Sequence, residues 1–176
     1  EGPLVENCPT ITSGFTFCGD IKHAEGLTSA GIDVVNTANN HILNFGNAGL
    51  ETTNKVVAEH GITLSNSAGP NYLNVKGTRF AFLGSNDLDY PTSIDLEKEK
   101  QLLKTQITQA RQNANFVVVS VHWGNEYQSH PSARQQELAH FAIDSGADLV
   151  VGNHPHWIQP VEVYHGKIIT YSHGNF

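Results

Sequence analysis

The feature that most constrains this chain is the run Phe116-Val117-Val118-Val119-Ser120-Val121, which is apolar and β-branched on both parities. Successive side chains of a strand point to opposite faces, so a sheet with one wet face calls for alternation, and apolar residues on both parities call for a strand covered on both sides. Such strands belong to sheets flanked by helices, and the rest of the sequence supplies the helices. Leu103, Ile107, Ala110 and Ala114 recur at helical spacing and predict a helix over roughly 96–114 with one apolar stripe. A helix over about 132–145 would bury Leu138, Phe141 and Ala142. Residues 21–31 read as a short helix closed by Gly31 with Asp20 as its N-cap, and a helix from Leu50 to His60 stops at Gly61. Asp33-Val34-Val35-Asn36-Thr37-Ala38 and Asp148-Leu149-Val150-Val151 read as short buried strands. Two antiparallel hairpins are expected, Tyr72–Val75 with Arg79–Leu83 around Lys76-Gly77, and Val161–Tyr164 with Lys167–Tyr171 around His165-Gly166. This alternation, over 176 residues of which 39% are hydrophobic, predicts a single α/β domain spanning 1–176.

Composition narrows the function. A net charge of −7 leaves no basic face to neutralise phosphates along a duplex, so nucleic acid is not expected as a partner. No stretch approaches the roughly 18 consecutive apolar residues of a membrane-spanning helix. Ten histidines stand against ten lysines and arginines, and histidine is both the commonest metal ligand and the side chain that titrates nearest neutral pH. Cys8 and Cys18 lie ten apart without a second pair, which excludes a four-cysteine zinc site and a C-x-x-C motif. Spacing alone leaves them open to two readings, a short-loop disulfide of an oxidising compartment or two semi-buried thiols.

Three predicted strands end in polar, histidine-bearing corners: Asn39-Asn40-His41, His122-Trp123-Gly124, and Gly152-Asn153-His154-Pro155-His156. Ligands of open α/β sheets bind outside the carboxyl ends of the strands, and corners from three adjacent strands would meet there. His154 and His156 flank a proline that favours extended backbone, which would aim both imidazoles to one side. An Asn carbonyl beside them would add an oxygen ligand, a mixed set suited to a hydrolytic metal centre. His23, His60, His130, His140 and His165 fall on helices, loops or turns and are expected at the surface.

These strings, Gly31 to His41, His122 to Tyr127 and Ser145 to His156, together resemble the CapA (PGA_cap) family of bacterial poly-γ-glutamate capsule biosynthesis proteins, which looks like a branch of the calcineurin-like metallophosphatase superfamily. The resemblance runs over essentially the whole chain. It implies a metallophosphatase-like layered sandwich with mixed central sheets flanked by helices. Glu1-Gly2-Pro3 looks like the end of a family segment, and Gly174-Asn175-Phe176 like a motif from which family chains continue. The chain is therefore expected to be a fragment, with the first strand and its Gly-Asp metal carboxylate upstream and a C-terminal remainder beyond. Phe15-Thr16-Phe17-Cys18-Gly19-Asp20 only superficially resembles that missing motif.

By the same resemblance Glu1, Asn40, His122, His154 and His156 are metal ligands, and His41 acts on the leaving group or phosphoryl oxygens. Asn39, Glu126, Tyr127 and Gln135 are substrate-binding or supporting. Two positions depart from the family pattern: Asn44 where many relatives carry Asp, and His173 where an apolar residue is common. The implied cofactor is a pair of divalent metal ions, Mn, Fe or Zn. The implied reaction is hydrolysis of a phosphoester or γ-glutamyl bond. Poly-γ-glutamate or a related anionic polymer, and a membrane capsule-synthesis complex, are the implied partners, at an extracytoplasmic site reached through an anchor outside this chain. A non-catalytic module that binds, exports or anchors poly-γ-glutamate is the alternative, although a net charge of −7 repels an anionic polymer unless metal ions or lysines reverse it locally.

Overall fold

The computed structural model describes residues 1–10, 14–88 and 96–175. The chain divides into two compact units, Glu1–Ser65 and Asn66–Phe176.

The first unit holds two small parallel sheets and two helices. Strand β1 (Leu4–Val5) pairs with β2 (Gly19–Asp20), a pairing within the segment that carries no periodic signal. The Cys8–Cys18 disulfide is formed, with Cα atoms 5.8 Å apart, and closes the loop between these strands. Asp20 does not cap helix α1 (His23–Ser29). The N-cap residue is Lys22, and the Asp20 carboxylate instead accepts the Lys22 backbone N–H at 3.0 Å, an Asx turn leading into the helix. Strand β3 (Val34–Asn36) is half-buried and pairs with β4 (Thr63–Ser65), which the sequence pattern does not announce. Between them α2 (Gly46–Glu59) starts four residues before the expected Leu50 and buries Gly49, Thr53, Val56 and Val57. Gly49 admits no side chain, since a Cβ there would sit 2.8 Å from Phe45 and 3.3 Å from Pro3.

The second unit is a six-stranded mixed sheet flanked by helices. Its strands are β5 (Asn71–Val75), β6 (Thr78–Asn86), β7 (Phe116–His122), β8 (Leu149–Asn153), β9 (Val161–Tyr164) and β10 (Lys167–Thr170), in the order β5-β6-β7-β8-β10-β9. Both hairpins turn where expected, with Lys76, Gly77, His165 and Gly166 all at positive φ. β6, β7, β8 and β10 run parallel. Helices α3 (Leu96–Arg111) and α4 (Ala133–Asp144) make the β6-to-β7 and β7-to-β8 crossovers. Right-handed crossovers that step in one direction place both helices on one face.

That face is the core. Val117, Val119 and Val121 of β7 meet Leu103, Ile107 and Ala110 of α3 and Leu138, Ala139 and Ala142 of α4. Phe141, expected inside, is only half-buried and carries the Lys100 ammonium 5.6 Å above its ring. On the opposite face Val118 and His122 are buried, and Phe116 packs against Phe80 of β6. Asp148, ahead of β8, accepts the Val117 N–H at 2.9 Å and pairs with Arg111 and Lys167, tying α3, β7 and β10 to one buried carboxylate. Burial alone would raise this carboxyl; the Lys167, Val117 and Arg111 hydrogen bonds outweigh it and hold it below its ordinary value.

Candidate metal and hydrolase site

The expected site residues fall into two groups, one on each unit. On the first unit the corner after β3 is an Asx turn: the buried Asn39 side chain accepts the His41 N–H at 2.9 Å. Asn40 and His41 are half-buried. The Phe17 N–H donates to Oδ1 of Asn44 at 2.7 Å, which fixes that amide with its oxygen inward, and the same oxygen lies 3.1 Å from Nδ1 of His41. An amide oxygen only accepts, so Nδ1 of His41 carries a proton and Nε2 points away from Asn44. The Phe17 ring meets the imidazole edge-on at 4.6 Å. Glu1 is exposed, with its carboxylate 4.0 Å from Nε2 of His41. Asn44 is thus the residue that sets the His41 ring.

The expectation of three adjacent histidine corners needs a correction. β3 hydrogen-bonds to β4 and takes no place in the six-stranded sheet. The third adjacent corner belongs to β6, which runs three residues past the predicted Leu83. In register across β6, β7 and β8 stand Asn86, His122 and Asn153, three polar side chains on one face at the carboxyl end of the sheet. The signal was present in Ser85-Asn86-Asp87, which breaks the apolar run of the strand just as His122 ends β7. Asp87 follows, buried, with its N–H on the His122 carbonyl at 2.8 Å and its carboxylate clamped by Arg134 at 2.7 and 2.5 Å. Beneath it the Ser85 hydroxyl donates to the buried Glu99 carboxylate, whose pKa burial pushes up.

His122 and His154 are both buried, with ring centroids 4.8 Å apart, and the His154 and His156 centroids are separated by 5.8 Å. The expected extended backbone around Pro155 is not adopted. His154 has φ +99° and His156 +59°, so two left-handed bends, not a strand, bring the imidazoles together. Glu126 joins them: one donor atom each from Glu126, His154 and His156 lies within 4.8 Å of the others.

Gln135 is buried within α4, where it closes a capping box with Ser132. Its Nε2 donates to Gln159 at 3.0 Å, and Gln159 donates in turn to the carbonyls of Gln128 and His130. Gln159, which sequence reasoning did not single out, thus links the buried Gln135 to the backbone of residues 128 and 130. Gly124, at φ +80°, is required because a Cβ there would meet the Gln135 side chain at 2.5 Å. Tyr127 is largely exposed, its ring 6.1 Å from that of His156. His23, His130 and His165 are exposed as expected, and His60 and His140 are half-buried, His140 against Glu162.

The second unit is thus an α/β protein that gathers histidine, carboxylate and amide side chains beyond the carboxyl ends of adjacent parallel strands. Residues 1–176 match the family described as bacterial capsule synthesis protein PGA_cap, and the chain belongs to that family. It is 38% identical over 173 residues to the capsule biosynthesis protein CapA of Bacillus anthracis, covering 86% of this chain and 41% of that one. To the PGA biosynthesis protein CapA of Bacillus subtilis strain 168 it is 36% identical over 165 residues, 85% of this chain and 43% of the relative. A probable polyglutamine synthesis accessory protein of Mycobacterium tuberculosis H37Rv is 27% identical over 175 residues, 85% and 46% of the respective chains. The chain spans less than half the length of these relatives. A crystal structure of a hypothetical protein from Thermus thermophilus shares the fold, with a TM-score of 0.61 at 19% identity over 87% of this chain and 57% of that one.

Proposed function

We propose that this chain serves poly-γ-glutamate capsule synthesis as a metal-dependent hydrolase acting on a phosphoester or γ-glutamyl bond. The observation that carries the reading is the grouping of His122, His154 and His156 in the second unit, with the first two buried and adjacent. Neutral imidazoles with carboxylate and amide oxygens suit Mn, Fe or Zn, so the donors present fit the two divalent ions that the family resemblance implies. His122, His154 and His156 would hold metal, with Glu1 and Asn40 assigned to the same set by that resemblance. Bound metal supplies an acidified water and polarises the oxygen of the bond attacked.

The chain's own residues do the rest. His41 carries its Nδ1 proton to Asn44, so Nε2 is the atom that takes up a proton and passes it to the leaving group. The disulfide supports an extracytoplasmic setting, where such bridges persist.

Metal content measured by mass spectrometry on protein purified without chelator tests the reading. Near-stoichiometric metal in the wild type that is lost in a His154→Ala/His156→Ala double variant is expected; no metal in either overturns it. His41→Ala should lower kcat by about 10²–10⁴-fold with metal retained, as removal of a general acid does. The names of the relatives, which speak of biosynthesis and accessory roles, favour a second reading, a module that binds poly-γ-glutamate without cleaving it. Salt-dependent binding of that polymer without turnover would establish this reading in place of the first.

A further inference from the structure

We propose that Glu126 is a metal ligand, completing with His154 and His156 a two-histidine, one-carboxylate site for a divalent cation, and that Asn175 holds His156 in the tautomer that ligation needs. The inference rests on the metal reading above and goes beyond it. The family resemblance gives Glu126 only a pocket or supporting role, and it gives Asn175 none.

Three independent features of the second unit converge on it. The first is donor geometry. One carboxylate oxygen and one nitrogen from each ring lie within 4.8 Å of one another, so an inward movement of about an ångström brings them to the spacing of ligands around an ion with bonds of roughly 2.0–2.2 Å.

The second is the orientation of His156. Its Nδ1 lies 2.7 Å from Oδ1 of Asn175. Because an amide oxygen only accepts, Nδ1 carries the proton and Nε2 keeps the lone pair. A metal-binding histidine shows this arrangement, its second ring nitrogen donating to a carbonyl or carboxylate that fixes tautomer and rotation.

The third is the investment in backbone. Tyr127, His154 and His156 all have positive φ, at 59°, 99° and 59°, without being glycine. Such conformations are strained for residues with a Cβ and persist only where the surroundings impose them. The surroundings do so here. The Tyr127 N–H donates to the Pro155 carbonyl at 2.7 Å, fastening the residue after Glu126 to the residue between the two histidines. On the other side Gln159 holds the carbonyls of Gln128 and His130 at 3.0 and 3.1 Å. An exposed glutamate on an unconstrained loop would need none of this.

The ligand class is a divalent cation that accepts imidazole and carboxylate together: Zn, Fe(II) or Mn, not Ca or Mg, which favour oxygen ligands alone. The test is calorimetric titration of Zn²⁺ and of Mn²⁺ into metal-stripped wild type, Glu126→Gln, Glu126→Asp, Asn175→Ala and the His154→Ala/His156→Ala double variant. Circular dichroism controls for folding, and the absorption of the Co²⁺-substituted protein reports the ligand set directly. Glu126→Gln, an exposed isostere, should weaken binding by more than the roughly 10–100-fold that loss of an outer-sphere partner costs, and it should shift the Co²⁺ bands. Glu126→Asp should keep part of the affinity. Asn175→Ala should fall within that 10–100-fold range.

Wild-type affinity and an unshifted Co²⁺ spectrum in Glu126→Gln, with binding lost in the double variant, would overturn the role of Glu126 and leave the metal reading standing. Undiminished binding in the double variant would overturn both.

Discussion

Single residues carry much of the architecture. Gly152 is hemmed in on both sides: a Cβ there would run into the Tyr171 carbonyl and would lie 2.5 Å from Nε1 of Trp123, the very groups joined by a 2.8 Å hydrogen bond. Gly152→Ala should therefore cost about 1–3 kcal/mol by overpacking, or more if the Trp123 bond breaks, read as a fall in the urea midpoint. Asp148 sets a pH dependence. Its carboxyl is held below its ordinary 3.8, so its contribution is fully present above that value and is lost as pH falls through the folded pKa. Asp148→Asn should lower stability at pH 7 by roughly 2 kcal/mol, the worth of hydrogen bonds to a charged group, and flatten the acid limb of a stability profile.

At the scale of elements, α4 begins with a complete capping box, in which Ser132 accepts the Gln135 N–H at 3.2 Å and Gln135 accepts the Ser132 N–H at 2.9 Å. Ser132→Ala should cost about 1 kcal/mol in chemical unfolding. Elements of this kind were legible because their signal is local. Leu103, Ile107 and Ala110 of the expected stripe are buried as periodicity requires, whereas Ala114 lies three residues past the end of α3 at Arg111 and is only half-buried; both hairpins turn at the glycines that mark them. The three-residue β4 and two-residue β1 and β2 were not legible, since strands so short leave no period and owe their existence to partners far away in the chain. The same reason explains the misassigned corner. That β3 would pair with β4, and β6 with β7, is a long-range fact, so His41 and His122 were recognisable as chemical residues while their sheet neighbours were not. His154 and His156 were legible as a pair, but their left-handed backbone was not, because nothing in a histidine announces a positive φ.

At the scale of the whole chain, the two units are fastened differently. The second has a contiguous apolar core under α3 and α4. The first relies on small parallel sheets and a disulfide across a ten-residue separation. Reduction should cost the first unit about 2–4 kcal/mol, seen as lost hydrogen-exchange protection in β1 and α2 after treatment with a thiol reductant. Unchanged protection would show that packing alone holds these elements. The left-handed residues Tyr127, His154 and His156 have a consequence of another kind. Glycine at any of them would relax the backbone, so a laboratory screen that rewards heat resistance alone would drift towards glycine, including at His154 and His156, the two imidazoles proposed above as metal ligands. Thermostable variants of this chain should be checked for ion content before they are taken as improved.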